Sequence, residues 1–304
     1  MTKLTCFKAY DIRGRLGIDL DENIAYRIGA AFAVALEAKT VVLGRDVRSS
    51  SEELAKSVAQ GLTDQGCDVL DLGLSGTEEM YFATTYLGAD GGICVTASHN
   101  PMDYNGMKMV RAGSAPLDAA SGLARIKELA QANTFEKSAT LGKIRDVAEE
   151  ARAAYVERIC QFVDISALKP LKILVNAGHG TAGPTFDAIA ARLAELGAPL
   201  VFERLFHEPD GTFPQGIPNP LLQENRPATA EAVRTSGADF GIAWDGDFDR
   251  CFFFDHTGAF IDGEYVVGLL AEAFLAKDPG ATIIHDPRII WNTQDLVAKV
   301  GGRA

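Results

Sequence analysis

Three aspartates in WDGDFDR, Asp245, Asp247 and Asp249, recur at every second position and are followed directly by Arg250. On a strand that spacing puts all three on one face, and in a loop it lets them converge on a single hard cation. Mg²⁺ fits best, because it takes oxygen ligands and keeps positions open for water or a substrate phosphate, while Arg250 can neutralise a phosphoryl oxygen. An EF-hand is excluded, since its sixth and twelfth positions need Gly and Glu and here hold Arg250 and His256. Carboxylates crowded together without a counter-ion would repel one another, which favours a metal over a solvated acidic turn. A second segment, TASHNP, presents Ser98 and His99 just ahead of the turn that Asn100 and Pro101 force, making Ser98 a candidate nucleophile. Adjacent Ser and His side chains seldom face each other, so this segment taken alone favours a serine that merely caps a turn. The α/β-hydrolase elbow G-x-S-x-G is ruled out by Ala97 and His99 on either side. A third segment, GHGTAG at 178–183, matches G-x-G-x-x-G, with Glu203 lying 20 residues beyond Gly183. It leaves two readings: an NAD-dependent oxidoreductase with its pyrophosphate on a helix N-terminus, or a glycine-rich strand-to-helix turn.

Something must hold these segments, and short β-branched runs alternating with amphipathic stretches predict an α/β protein. The expected architecture is tandem repeated α/β domains with mixed, mostly parallel sheets covered by helices. Strands are expected at 40–46, 67–73 and 91–98 with a helix over 50–66, then strands at 171–177, 198–204 and 238–245 with a helix over 184–197. A third unit is expected to open with a helix over 263–277 and a strand at 281–286. Ser50 with Glu53 reads as a capping box at the start of the 50–66 helix. LGADGGICVTASHN and SGADFGIAWDGDFD align without gaps at an offset of 149 residues, with five identities in the eleven pairs from Gly88/Gly237 to Ser98/Asp247. This register predicts duplicated units with corresponding strands. Ligands of such sheets collect at the carboxyl ends of strands, where TASHNP and DGDFDR both fall. The Pro/Gly/Asn-rich stretch 207–225 reads as an irregular excursion toward a site or a neighbouring domain.

The chain has 304 residues, 47% of them hydrophobic and 23% charged, enough for several cores. With 29 Lys and Arg against 41 Asp and Glu, the net charge of −12 argues against nucleic acid and against an anionic membrane surface as partners. A small phosphorylated metabolite remains compatible, held by a local Arg/Lys cluster. Cys6, Cys67, Cys94, Cys160 and Cys251 are scattered without a C-x-x-C pair, and no secretory h-region opens the chain, so a cytoplasmic protein with reduced thiols is expected.

Taken together, FKAYDIRG (7–14), GRDVRSSS (44–51), TASHNP (96–101), NGMK (105–108), DGDFDR (245–250) and DPR (286–288) resemble the α-D-phosphohexomutase superfamily, most closely its bacterial phosphomannomutase/phosphoglucomutase branch. The resemblance implies that Ser98 is a phosphoserine whose phosphate binds Mg²⁺ with Asp245, Asp247 and Asp249. It places Lys108, Arg13 and His99 near the reacting phosphoryl group, with Lys108 as acid/base, and Tyr10, Arg250 and Arg288 along the substrate cleft. The implied reaction interconverts hexose 6-phosphate and hexose 1-phosphate through a bound hexose 1,6-bisphosphate. Domains are expected at 1–147 (phosphoserine loop), 148–254 (metal loop) and 255–304 (an incomplete third). The family's G-E-x-S-x-H and R-x-S-G-T patterns are missing, since Gly263 and Glu264 lead into Tyr265 with no such Ser or His. A C-terminally truncated mutase is therefore expected, with impaired turnover and apolar surface that could drive self-association. A fragment that binds sugar phosphate without catalysis is the further alternative.

Overall fold

A computed structural model describes residues 3–304. The first sheet is built from β1 (Ile12–Arg15), α1 (Glu22–Ala35), β2 (Thr40–Arg45), α2 (Ser51–Asp64), β3 (Asp68–Leu74), α3 (Thr77–Tyr86), β4 (Gly91–Val95), β5 (Tyr104–Arg111), β6 (Ala115–Pro116), α4 (Ala124–Ala132) and β7 (Ile144–Asp146). Its strand order is β1-β5-β4-β2-β3-β7, with β6 beside β5. β4, β2, β3 and β7 run parallel, while β5 runs antiparallel to its neighbours β4, β1 and β6. Alternation along β2 divides the core: Val41 and Leu43 face α1, α2 and α4 beside Ile28, Phe32, Leu54 and Val58, while Val42 faces α3 beside Met80 and Val110.

The second sheet follows α5 (Ala148–Cys160) and contains β8 (Leu171–Asn176), α6 (Ala182–Glu195), β9 (Leu200–Leu205), α7 (Pro227–Ser236), β10 (Phe240–Trp244), β11 (Cys251–Asp255) and β12 (Phe260–Ile261). Its order is β12-β11-β10-β8-β9, with a parallel centre and two antiparallel strands at one edge. α5 joins the two halves, because its Ala151 packs in the first core and its Val156 and Cys160 pack with Leu193 of α6. Two further helices, α8 (Gly263–Lys277) and α9 (Trp291–Lys299), pack through Ala271, Leu275 and Val297. No helix among the described residues is long and apolar enough to cross a membrane.

The mixed α/β class is as expected, and two local expectations are corrected. Ser50 makes no capping bond: its backbone is helical (φ −83, ψ −15) rather than extended, so its hydroxyl accepts from Asn105 instead (2.8 Å). Glu53 pairs with Lys56 at 2.8 Å rather than reaching back to the cap. The strand expected at 281–286 is reduced to one bridge, Thr282 with Arg303. No neighbouring strand among the described residues offers it a ladder.

Candidate functional site

The carboxyl ends of β4 and β10 meet between the two sheets. Ser98 follows β4 and is 2% exposed, with a left-handed backbone (φ 48) that a non-glycine residue adopts only under constraint. The constraint is visible: Thr96 Oγ1 accepts from the Ser98 amide (2.8 Å), and Asn100 N donates to Ala97 O (2.9 Å). The Ser98 hydroxyl donates to Asp245 Oδ2 at 2.5 Å, lies 3.0 Å from His99 Nδ1, and accepts from Arg250 Nη2 at 3.1 Å. His99 also touches the Arg250 guanidinium.

Around this hydroxyl, one ligand oxygen from each of Asp245, Asp247 and Asp249 lies within 4.8 Å of the others. Asp245 and Asp247 are fully buried, and Asp249 sits at the rim with its side chain 25% exposed. Asp247 Oδ2 is saturated by Thr77 Oγ1 (2.8 Å), Thr96 Oγ1 (3.0 Å) and Lys108 Nζ (2.8 Å). Its Oδ1, equally buried, has no hydrogen-bond partner. An orphaned carboxylate oxygen beside two further carboxylates and a hydroxyl is a donor set that fits a hard divalent cation.

The electrostatics divide the trio. Burial, with the charges of Asp247 and Asp249, pushes the Asp245 carboxyl up to about 8. Burial and Asp247 also raise Asp249. Burial opposes the Asp247 carboxylate too, but the Lys108 ammonium and the Lys108 and Thr77 bonds override it and hold that carboxyl down. Lys108 shows the reciprocal effect: desolvation would lower it, and the Asp247 and Asp249 charges keep it raised and protonated.

The antiparallel edge supplies the cations. β5 brings Lys108 opposite Cys94 of β4, and β1 brings Arg13 opposite Gly106. Arg13 donates to Thr96 O (3.2 Å) and pairs with Asp11 (3.1 Å). Tyr10 is exposed and does not touch Ser98; it lines a cavity of about 360 Å³ with Lys8, Asp11, Tyr81 and Lys108. Arg288 is not brought to the cluster, for its exposed guanidinium is clasped by Asp286 (2.6 Å). Sequence reasoning missed Thr77, Asp46 and Arg48. The last two stand inside GRDVRSSS, while Thr77 carries no sequence signal, lying 170 residues from the carboxylate it serves.

GHGTAG does not hold a dinucleotide. Thr181 spends its amide (3.1 Å) and its hydroxyl (3.2 Å) on Gly246 O of the aspartate loop. A Cβ on Gly183 would meet His207 O at 2.2 Å, and one on Gly178 would meet Pro218 at 2.3 Å. The glycines admit the chain's own His207 backbone and Pro218 ring where a pyrophosphate would need space, and Glu203 is paired with Lys172 (3.0 Å). The oxidoreductase alternative is thereby set aside.

Two family models match the chain, phosphoglucomutase/phosphomannomutase alpha/beta/alpha domain I over residues 4–137 and domain II over residues 153–258. A phosphomannomutase of Salmonella typhimurium is 59% identical over 304 residues, covering 99% of this chain and 66% of that protein. One from Vibrio cholerae is 54% identical with the same coverage, so the chain spans about two thirds of the length of these relatives. A solved phosphoglucomutase/phosphomannomutase family protein from Burkholderia thailandensis superposes with TM-score 0.86 at 34% identity, covering 100% of this chain and 66% of that one.

Proposed function

The chain belongs to the phosphoglucomutase/phosphomannomutase family, and from that premise we propose that it is a phosphohexomutase working through phosphorylated Ser98. Its substrates are hexose 6-phosphate and hexose 1-phosphate, with mannose favoured by the names of its relatives. The observation that carries this reading is the Ser98 hydroxyl, buried 2.5 Å from Asp245 and within reach of Arg250. In the half-reaction that charges the enzyme, Ser98 Oγ attacks a phosphorus of hexose 1,6-bisphosphate, and the bond from that phosphorus to the sugar oxygen breaks. The serine proton has acceptors in reach at Asp245 Oδ2 and His99 Nδ1. Lys108, kept protonated by two aspartates, donates to the departing sugar oxygen. Arg250 and Arg13 offset charge on the phosphoryl oxygens, and Tyr10 borders the cavity beside Lys108 through which the sugar approaches. Asp245, Asp247, Asp249 and phospho-Ser98 would hold Mg²⁺, which when bound supplies further charge neutralisation at the phosphoryl group. Running the steps in reverse on the other phosphate gives a net isomerisation. Five unpaired thiols, four of them buried, agree with a cytoplasmic setting.

Intact-mass spectrometry with peptide mapping, after incubation with Mg²⁺ and hexose 1,6-bisphosphate, tests the reading. One phosphoryl group on Ser98, lost in Ser98→Ala, is expected. Uptake elsewhere, or none, leaves the chain a sugar-phosphate binder without this chemistry.

A further inference from the structure

Behind the nucleophile loop lies a buried ion pair that the reaction above does not use. Arg48 and Asp46, in the turn between β2 and α2, have side chains 2% exposed. A guanidinium carries five N–H groups in a fixed plane. Arg48 directs Nη1 to Pro101 O (2.9 Å) and Tyr104 O (3.3 Å), and Nη2 to Ser98 O (3.0 Å) and Asn100 O (2.5 Å). Four carbonyls within the seven residues 98–104, from the loop and the first residue of β5, thus converge on one side chain, and its Nε lies 3.6 Å from Asp46 Oδ2. Asp46 holds the same loop one residue ahead of Ser98, accepting from the Ala97 amide (3.1 Å).

The outer face of Arg48 is covered from the other half of the molecule. Phe213, in the excursion 207–225, is buried with its ring centroid 5.6 Å from the guanidinium carbon. The excursion reaches this place by backbone contact, since a Cβ on Gly211 would lie 2.3 Å from Val47 O. The same ring borders Gly246 of the aspartate loop, whose Cβ position lies 3.9 Å from Phe213 Cζ and 2.7 Å from Ser98 O. One aromatic side chain therefore abuts the support of the nucleophile and the backbone of the carboxylates.

We propose that Arg48, stacked under Phe213, is a positioning residue that sets the strained Ser98 backbone in register with the aspartate loop, and that the 207–225 excursion exists to complete this support. The proposal rests on the mutase reading. Neither side chain touches the Ser98 hydroxyl, so their effect falls on how often the nucleophile is aligned, and a displacement of about 1 Å in such a site costs on the order of 100-fold in rate. Lysine keeps the charge but has a single ammonium that cannot fork to four carbonyls. Leucine keeps Phe213's apolar bulk and loses the ring face.

Wild type, Arg48→Lys and Phe213→Leu are each mixed with Mg²⁺ and hexose 1,6-bisphosphate, and Ser98 phosphorylation is followed against time and donor concentration. The maximal rate is expected to fall on the order of 100-fold in Arg48→Lys and about tenfold in Phe213→Leu. The half-saturating donor concentration and the final stoichiometry are expected to stay at wild-type values. Damage to the fold would instead lower the stoichiometry, and lost donor contacts would raise the half-saturation. Rates within about threefold of wild type, or a loss confined to stoichiometry, overturn the proposal. If Arg48→Lys does not fold, Phe213→Leu decides by the same criteria. A wild-type chain that takes up no phosphoryl group overturns the mutase reading itself, and this proposal with it.

Discussion

Asp245 and Asp247 are both buried, two positions apart, yet their neighbours treat them in opposite ways. Asp247 receives an ammonium and two hydroxyls on one oxygen, whereas Asp245 faces two like charges, relieved in part by Ser98 and by Arg250 at 3.2 Å. Without a cation the native state therefore disfavours ionised Asp245 and favours ionised Asp247. A carboxyl raised on folding costs stability as pH climbs from its unfolded value near 3.8 to its folded value of about 8. In EDTA at pH 8, Asp245→Asn should accordingly raise stability by about 1–3 kcal/mol over wild type, and the gain should vanish toward pH 4. Asp247→Asn should lower it by a similar amount, because Lys108 loses its buried partner. Thermal melts across that pH range read both signs, and equal shifts in the two variants would show that the carboxylates are not differentiated. Added Mg²⁺ should raise the melting temperature of wild type and of neither variant.

At the scale of elements, the offset of 149 residues seen in the sequence corresponds to repeated contacts. Asp90 Oδ2 accepts from Lys39 N (2.8 Å) and Thr40 N (2.9 Å) at the start of β2, and Asp239 Oδ2 accepts from Lys172 N (2.7 Å) at the start of β8. A Cβ on Gly92 would meet Thr84 at 2.2 Å and Met80 at 2.5 Å, and one on Gly241 would meet Val233 at 2.5 Å and Thr229 at 3.8 Å, the same positions of the preceding helix. Gly92→Ala and Gly241→Ala should each destabilise by about 1–3 kcal/mol through overpacking. Urea unfolding should show lower midpoints with unchanged slopes, and a wild-type midpoint in either variant would remove the packing argument. These contacts explain what was legible. Central strands announce themselves by short apolar runs, Val41 to Leu43 within 40–46 and Ile242 to Trp244 within 238–245, and the repeat by residues that do one job twice. The antiparallel strands β5 and β11 do not announce their place, since their pattern gains meaning only beside β4 and β10. Nor does the sequence pair Asp247 with Thr77, or with the Lys108 that the resemblance names, because these residues join it across 170 and 139 positions. The capping box failed for a local reason, the helical backbone of Ser50.

Across the whole molecule, stability is unevenly spread. The nucleophile and the carboxylates come from different sheets, and their junction is tied by α5, by the bonds of the Thr77 amide and hydroxyl to Asp247 and by the packing of Phe213. The unit of α8 and α9 has a core of only Ala271, Leu275 and Val297. Meanwhile Tyr265, Leu269, Leu270, Phe274, Ile284 and Trp291 are exposed. A helix apolar on nearly every side with one arc covered gains little from folding in water and gains more when a second surface covers it. Amides of 263–304 should therefore exchange with solvent well ahead of those in β2 and β4, and sedimentation should reveal association rising with protein concentration. Leu269→Glu combined with Phe274→Glu should abolish the association by making the covered state bury two charges. It should leave Ser98 phosphorylation at the wild-type rate, because neither residue belongs to the junction that holds the site. Persistent association in the double variant would assign self-association to another surface, and a loss of phosphorylation would mean that this unit also supports the junction.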